Sequence, residues 1–338
     1  MDNLIINKYQ LIGSKVDPLS EGLDIIYGSD ENYQFGVGVS AVSLLVNNPS
    51  NFFRFHLFLD VVKPDFLDKL STIAEQFSAE FNVYELDNTL LKTLPASEVW
   101  SSAMYFRLIA FEYLSSDYDY ALYLDADVVC QNALNLSTDI IKDVVAGVVA
   151  DEIGVRKKSG ARLNVAELSE TYFNSGVMFV NLKEWHSHQV TKKCFEFLSL
   201  PNAKDLYKYP DQDVLNLILR EQLVLLDQRF NTIYTLKNEL SDSTHQKYKR
   251  VITSDTALIH YTGVTKPWHT WAKYPSAKPF YDALASSPWT ENDLKPAIKF
   301  AEKKKEYKHL LKQAAFFAGC ISGIKYLFQK VRGKKDNL

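Results

Sequence analysis

The residues best able to do chemistry gather where apolar runs end. Tyr120 to Leu124 reads as a strand and leads directly into Asp125-Ala126-Asp127. In an extended segment residues i and i+2 project to one side, so both carboxylates would share a face and repel unless something positive lay between them. A divalent cation meets that need, since oxygen donors suit magnesium or manganese; a solvated strand-end pair is the plainer alternative. A second cluster, Ile259-His260-Tyr-Thr-Gly263-Val-Thr-Lys266-Pro-Trp268-His269, offers an imidazole, a glycine that permits close backbone approach and a cation for phosphate. Taken singly, His260 reads as well as a structural histidine and Lys266 as a solvated lysine. They matter only if they share a pocket with Asp125 and Asp127. Phe173-Asn174-Ser-Gly176 and Asp211-Gln212-Asp213 complete the set, with a turn and a helix cap behind Pro210 as their structural alternatives.

These residues need elements to position them. The spacing predicts strands at Leu23–Gly28, Phe53–Leu59, Phe81–Leu86, Tyr120–Leu124, Val144–Val149, Tyr172–Leu182 and Ala257–His260. Between them it predicts helices at Val37–Val46, Pro64–Ser78, Ser101–Leu114 and Gln189–Ser199, and another opening at Asp211. Alternating strands and helices imply an α/β domain with a mainly parallel central sheet, whose ligands bind beyond the carboxyl ends of the strands. Asp30, Asp125 and Asp151 each follow an apolar strand and so point to one crevice.

The 338 residues are 46% hydrophobic and 23% charged, which excludes disorder and collagen-like repeats. Three dispersed cysteines without a C-x-x-C fit a reducing compartment. We read no signal peptide and no spanning segment, and expect a cytoplasmic protein. Phosphate-loop, dinucleotide, zinc-protease and hydrolase-elbow motifs are absent. The net charge of −3 hides an asymmetry: Lys295 to Leu338 carries 12 basic and 3 acidic residues, so +9 follows a body of −12. Leu310, Ala314, Phe317, Ile321, Ile324, Phe328 and Val331 form one apolar helical face among those lysines, with Gly319 and Gly323 as expected breaks. Such a helix either lies on an anionic membrane or packs on the body; nucleic acid is not expected.

In this order the motifs resemble glycosyltransferase family 8, the retaining nucleotide-sugar enzymes of GT-A fold: Asp30-Glu-Asn32-Tyr33, Tyr105-Phe-Arg107-Leu, YLDADVV, FNSGVMFVNL, DQDVLN and HYTGVTKPWH. Trp271 to Phe280, Ser286-Ser-Pro-Trp289 and the basic helix are similar to the C-terminal part of bacterial lipopolysaccharide core glucosyl- and galactosyltransferases. The resemblance implies a leader (1–20), a GT-A domain (21–275) and a helical, basic, membrane-associating extension (276–338). It implies that Gly28, Asp30 and Asn32 contact the uridine of UDP-glucose or UDP-galactose, and that Arg107 holds the donor sugar or orders the loop over it. Asp125, Asp127 and His260 would ligate Mn2+ or Mg2+, Gly263 and Lys266 would touch the diphosphate, and Asp151, Asn174, Asp211 and Gln212 would surround the hexose. Val99 departs from the pattern and receives no role. The implied reaction is transfer of glucose or galactose to a hydroxyl of the lipopolysaccharide core, forming an α-linkage, by an enzyme peripheral on the inner face of the bacterial inner membrane. The alternatives are another saccharide or protein acceptor, or a non-catalytic carbohydrate- or lipid-binding module.

Overall fold

The computed structural model describes residues 4–16, 22–96 and 101–335, with side chains up to residue 330. Val99, the ends of the leader and the side chains of Val331, Arg332, Lys334 and Lys335 lie outside the described residues. The strands are β1 (Ile5–Ile12), β2 (Leu23–Ser29), β3 (Phe53–Leu59), β4 (Glu80–Leu86), β5 (Tyr120–Leu124), β6 (Val128–Cys130), β7 (Ala146–Ala150), β8 (Phe173–Asn181), β9 (Leu223–Leu225), β10 (Thr232–Ile233) and β11 (Leu258–His260). The main sheet runs β1-β4-β3-β2-β5-β8-β7-β9, and a small sheet runs β10-β11-β6. Strands β4, β3, β2 and β5 are parallel, whereas β8 enters antiparallel to both β5 and β7.

Helices cover both faces. They are α1 (Gln34–Asn47), α2 (Pro64–Phe77), α3 (Phe106–Leu114), α4 (Ile153–Leu163), α5 (Leu168–Thr171), α6 (Leu182–Ser187), α7 (Val190–Leu198), α8 (Ala203–Leu206), α9 (Pro210–Leu219), α10 (Lys278–Ala285), α11 (Phe300–Lys312) and α12 (Phe316–Lys335). Because both faces are covered, β2 and β5 read as continuous apolar runs. Ile25, Tyr27, Leu122 and Leu124 join the core under α1, α2 and α10. Ile26, Ala121 and Tyr123 join the core under α3, α7 and α9.

The structure departs from the sequence reading in four places. Residues 5–12, read as part of a leader, pair with β4 as an edge strand, and Tyr9 and Leu11 pack on the core. Only Phe106–Leu114 of the expected helix from Ser101 is α-helical; Ser102–Tyr105 is a tighter 3₁₀ turn. The Asp125–Asp127 segment is a turn rather than an extension of β5, closed by the Val128 N–H donating to the Asp125 carbonyl at 3.0 Å. Lastly, Gly319 and Gly323 do not break the tail. The chain reverses at residues 313–315, where Ala314 takes φ +59°, and α12 returns along α11. Gly319 lets α12 lie close against Leu311, where a Cβ would fall 2.8 Å from Cδ2, and Gly323 faces Tyr307 at ordinary contact distance.

Helix α11 is anchored by His309, which is fully buried. Its Nδ1 meets the Tyr274 hydroxyl at 2.8 Å and its Nε2 meets the Thr265 hydroxyl at 3.2 Å. Burial, then Lys305, push its imidazole down to about 4. Between those partners, Thr265 and Tyr274, burial, then Lys266, push His269 down to about 3. Both are therefore neutral in the fold. With folded values below the ordinary one near 6.5, their contribution is complete above that pH and is lost as pH falls through 6.5 toward 4. Melting curves between pH 7.5 and 4.5 should show a fall in Tm of several degrees, and His309→Gln should flatten part of that slope.

Candidate active site

Backbone pairing brings the chemical residues together. Strand β6 begins one residue after Asp127, and β11 pairs antiparallel with it so that His260 lies opposite Val128. The Tyr261 N–H donates to the Asp127 carbonyl at 2.9 Å. From the other side, β8 runs antiparallel to β5, so its beginning meets the end of β5, and the Asp125 N–H donates to the Gly176 carbonyl at 2.8 Å. His260 Nε2 lies 3.1 Å from Asp127 Oδ1 and 3.8 Å from Asp125 Oδ2. One ligand atom from each of the three residues lies within 4.8 Å of the others. A Cβ at residue 176 would fall 2.3 Å from His260 Cε1 and 2.7 Å from Asp125 Oδ2, so glycine keeps this cradle open. Two carboxylates and one imidazole at this spacing fit a divalent cation.

Cations and amides surround the cradle. Lys266 Nζ contacts Asp127 Oδ2 and also donates to the Tyr261 carbonyl at 3.0 Å. Burial alone would raise Asp127, but Lys266 and His260 outweigh it and hold the carboxyl well below its usual range. Lys266 is itself held above its ordinary value, because Asp127 outweighs the burial that would lower it. Arg107, from α3, lies over the Tyr123 ring at 4.4 Å and reaches Asp125 at 2.9 Å and Asp211 at 3.4 Å. Burial, opposed by Arg107, raises Asp211. At the start of α9, Gln212 Oε1 accepts from Asn174 Nδ2 at 3.2 Å and the Ser175 N–H at 3.1 Å. Its Nε2 donates to Asp151 Oδ2 and the Tyr172 hydroxyl, each at 3.1 Å. The amide is thus fixed on both ends. Asp213, one residue on, is structural: it is fully buried and held bidentately by Arg162 at 2.7 Å.

Two adjoining cavities, of about 140 and 120 Å3, share Arg107, Asp125, Asp127 and Lys266. Gly28 and Asp30 line the first, where Asp30 accepts from the Asn32 N–H at 2.9 Å and the Ser101 hydroxyl at 2.8 Å. Asn174, Asp211, Gln212, His260 and Gly263 line the second. Gly263 has φ +89°, which only glycine adopts without strain. Asn32 is exposed and outside both linings, its carbonyl accepting from Lys295, and Asp151 lies behind the second cavity, bonded to Gln212 and Asn174 of its lining. Sequence reasoning missed Asn231. This fully buried amide accepts at Oδ1 from His260 Nδ1 (3.2 Å) and donates to Asn174 Oδ1 (3.0 Å), which fixes Nε2 of His260 as the atom facing the acids. No local signal marks an asparagine whose partners lie 29 and 57 residues away.

A family model described as glycosyl transferase family 8 matches residues 24–272. The chain belongs to glycosyltransferase family 8. A second model, the family 8 C-terminal region, matches residues 274–330. The chain is 45% identical over 313 residues to a lipopolysaccharide 1,2-glucosyltransferase of Escherichia coli K12, covering 92% of each chain. It is 33% identical to a lipopolysaccharide 1,3-galactosyltransferase of Salmonella typhimurium, again covering 92% of each. Among solved structures it resembles the galactosyltransferase LgtC, in complex with donor and acceptor sugar analogues, with TM-score 0.66 and 25% identity over 79% of this chain and 97% of that one. The family 8 protein therefore has a GT-A fold and is a hexosyltransferase. Its acid–imidazole cradle yields two checks by isothermal titration calorimetry with Mn2+. Gly176→Ala should weaken binding by roughly a hundredfold, and Asn231→Ala by about ten- to a hundredfold, in a protein that stays folded by circular dichroism.

Proposed function

We propose that this glycosyltransferase moves a hexose from a UDP-sugar to a hydroxyl of the lipopolysaccharide core with retention of configuration. The observation that carries this reading is the placement of Asp125, Asp127, His260 and Lys266 between a cavity lined by Gly28 and Asp30 and a second lined by Gln212. The first accommodates uridine, the junction the diphosphate and the second the hexose. A Mn2+ or Mg2+ ion held by Asp125, Asp127 and His260 would supply positive charge to the departing diphosphate. Lys266 adds a buried ammonium at the same point, where preorganised charge acts most strongly on the transition state. Arg107 holds Asp125 and Asp211 in place.

Retention by double inversion needs a carboxylate nucleophile beside the sugar. Gln212 is an amide, and Asp211 is buried against Arg107. Attack from the leaving group's own side follows, with the departing phosphate taking the acceptor proton and Gln212 stabilising the cationic sugar. UDP-glucose is the favoured donor, because two relatives, 45% and 42% identical, are named lipopolysaccharide 1,2-glucosyltransferases. UDP release with each of UDP-glucose and UDP-galactose, with and without Mn2+, tests the reaction; truncated core oligosaccharides and NMR of the product test acceptor and linkage. Gln212→Ala should lower kcat by about a hundredfold or more. A glycosyl adduct trapped on Asp211 would replace same-side attack by double inversion.

The C-terminal hairpin supports attachment to an anionic membrane at the inner face of the inner membrane. Phe316, Phe317, Ile324, Leu327 and Phe328 of α12 are 53–83% exposed, so this face does not pack on the body. Lys308, Lys312, Lys325 and Lys330 lie along the same two helices. No helix among the described residues is long and apolar enough to cross a membrane. Truncation after Gln313 should abolish sedimentation with anionic liposomes and preserve UDP-sugar hydrolysis. Truncation at Pro296 should impair both, because it also removes His309 from the loop that carries Lys266.

A further inference from the structure

A third cavity, of about 340 Å3, opens beside the one lined by Gln212, and Tyr209 lines both. Its walls come from the segments that lead to the hexose site. Helix α4 starts two residues after Asp151, and Lys208-Tyr209 immediately precede Pro210 and α9. Its floor is rigid. Arg162 lines it and is locked by two 2.7 Å bonds to the buried Asp213, while Arg162 Nη2 also donates to the buried Ser159 hydroxyl at 3.3 Å. The rim is open: Ile153 beside it is 61% exposed, and a side chain at Gly154 would meet nothing within 4 Å.

The charge of this cavity runs against that of the protein. The body before Lys295 has a net charge of −12, yet the lining holds Lys158, Arg162 and Lys208 against one acid, Glu152. Asp213 compensates Arg162. No ion pair among the described residues involves Lys158 or Lys208, and Lys208 Nζ rests 5.2 Å from the centroid of the Tyr209 ring. Two ammonium groups outside any such ion pair, against the single carboxylate of Glu152, therefore line a cavity that shares Tyr209 with the transfer site. An ammonium is a point charge with rotatable donors, suited to a phosphate or carboxylate presented at variable angle. A neutral sugar ring gives no reason for two such groups together.

We propose that this cavity is an acceptor subsite that holds an anionic substituent of the acceptor saccharide, phosphate or carboxylate, through Lys158 and Lys208. It selects acceptors carrying that charge near the hydroxyl to be glycosylated, and the donor half of the site does not depend on it. This inference rests on the saccharide-acceptor reading above and adds the chemical class that the acceptor must belong to.

The test uses the full-length enzyme with UDP-glucose and a truncated core oligosaccharide in three forms: native, phosphatase-treated and carboxyl-reduced. For the wild type, removing the recognised anion should raise the acceptor KM about tenfold or more, and whichever treatment does so identifies phosphate or carboxylate as its source. Lys158→Ala/Lys208→Ala should raise the KM for native acceptor to the level of the stripped one. It should leave UDP-sugar hydrolysis and the donor KM unchanged, a split that general damage to the fold would not produce. An acceptor KM unmoved by the double substitution overturns the proposal, as does wild-type indifference to both treatments. If the wild type transfers hexose to no core saccharide while still releasing UDP, the underlying acceptor reading falls and this inference falls with it.

Discussion

The whole site depends on one backbone pairing, the short antiparallel ladder that sets His260 opposite Val128. It joins a turn after the fifth strand to a strand 130 residues later. Slippage by one residue would send the imidazole to the opposite face of β11. The Asp127 carbonyl is held by the Tyr261 N–H, so the ladder continues one step beyond the strand and fixes the carboxylate-bearing turn itself. On the other side β8 closes the cradle with its Gly176 carbonyl, which accepts from the Asp125 N–H. Three elements distant in sequence thus meet through main-chain bonds, which hold a site more rigidly than long side chains on loops.

Such a site concentrates charge that would be unfavourable in a low-dielectric interior. Asp127 and Asp211 are almost entirely buried, and unpaired carboxylates there would destabilise the fold by several kcal/mol. Lys266 and Arg107 offset this from opposite ends, one against Asp127 and the other between Asp125 and Asp211. Between them runs a chain of amides, Asn231 to Asn174 to Gln212, that continues to Asp151 and Tyr172. Each member satisfies its neighbour's donors and acceptors. Contiguous hydrogen bonds thus connect the imidazole to Gln212.

The sequence was most informative where chemistry and local pattern coincide. Asp125, Asp127 and His260 follow apolar strands, and the alternation of strands and helices was legible enough to bring their ends to one crevice. Strand alternation does not explain the acid pair: Asp127 sits in a turn, and its approach to Asp125 comes from that turn. Asn231 was invisible because its importance lies wholly in partners supplied by other segments. Residues 5–12 looked like a leader because polar residues interrupt the apolar ones, yet an edge strand tolerates that pattern, being half solvated. Gly319 and Gly323 looked like helix breakers. Propensity read alone could not show that a second helix would lie against them.

The C-terminal hairpin bears on the chemistry more closely than its composition implies. Its Phe316, Phe317 and Phe328 are exposed, but His309 reaches inward to Thr265, the residue before Lys266, and to Tyr274 beyond it. Gln313 adds a bond to the Trp271 carbonyl at 2.6 Å. The loop carrying Gly263 and Lys266 is thus clasped between β11 at one end and α11 at the other. A basic, apolar helix that only hung from the body would have no need of a buried neutral histidine at its root. The two bonds of His309 make α11 part of the support behind Lys266, whereas α12, which packs on α11, presents its outer face to another surface.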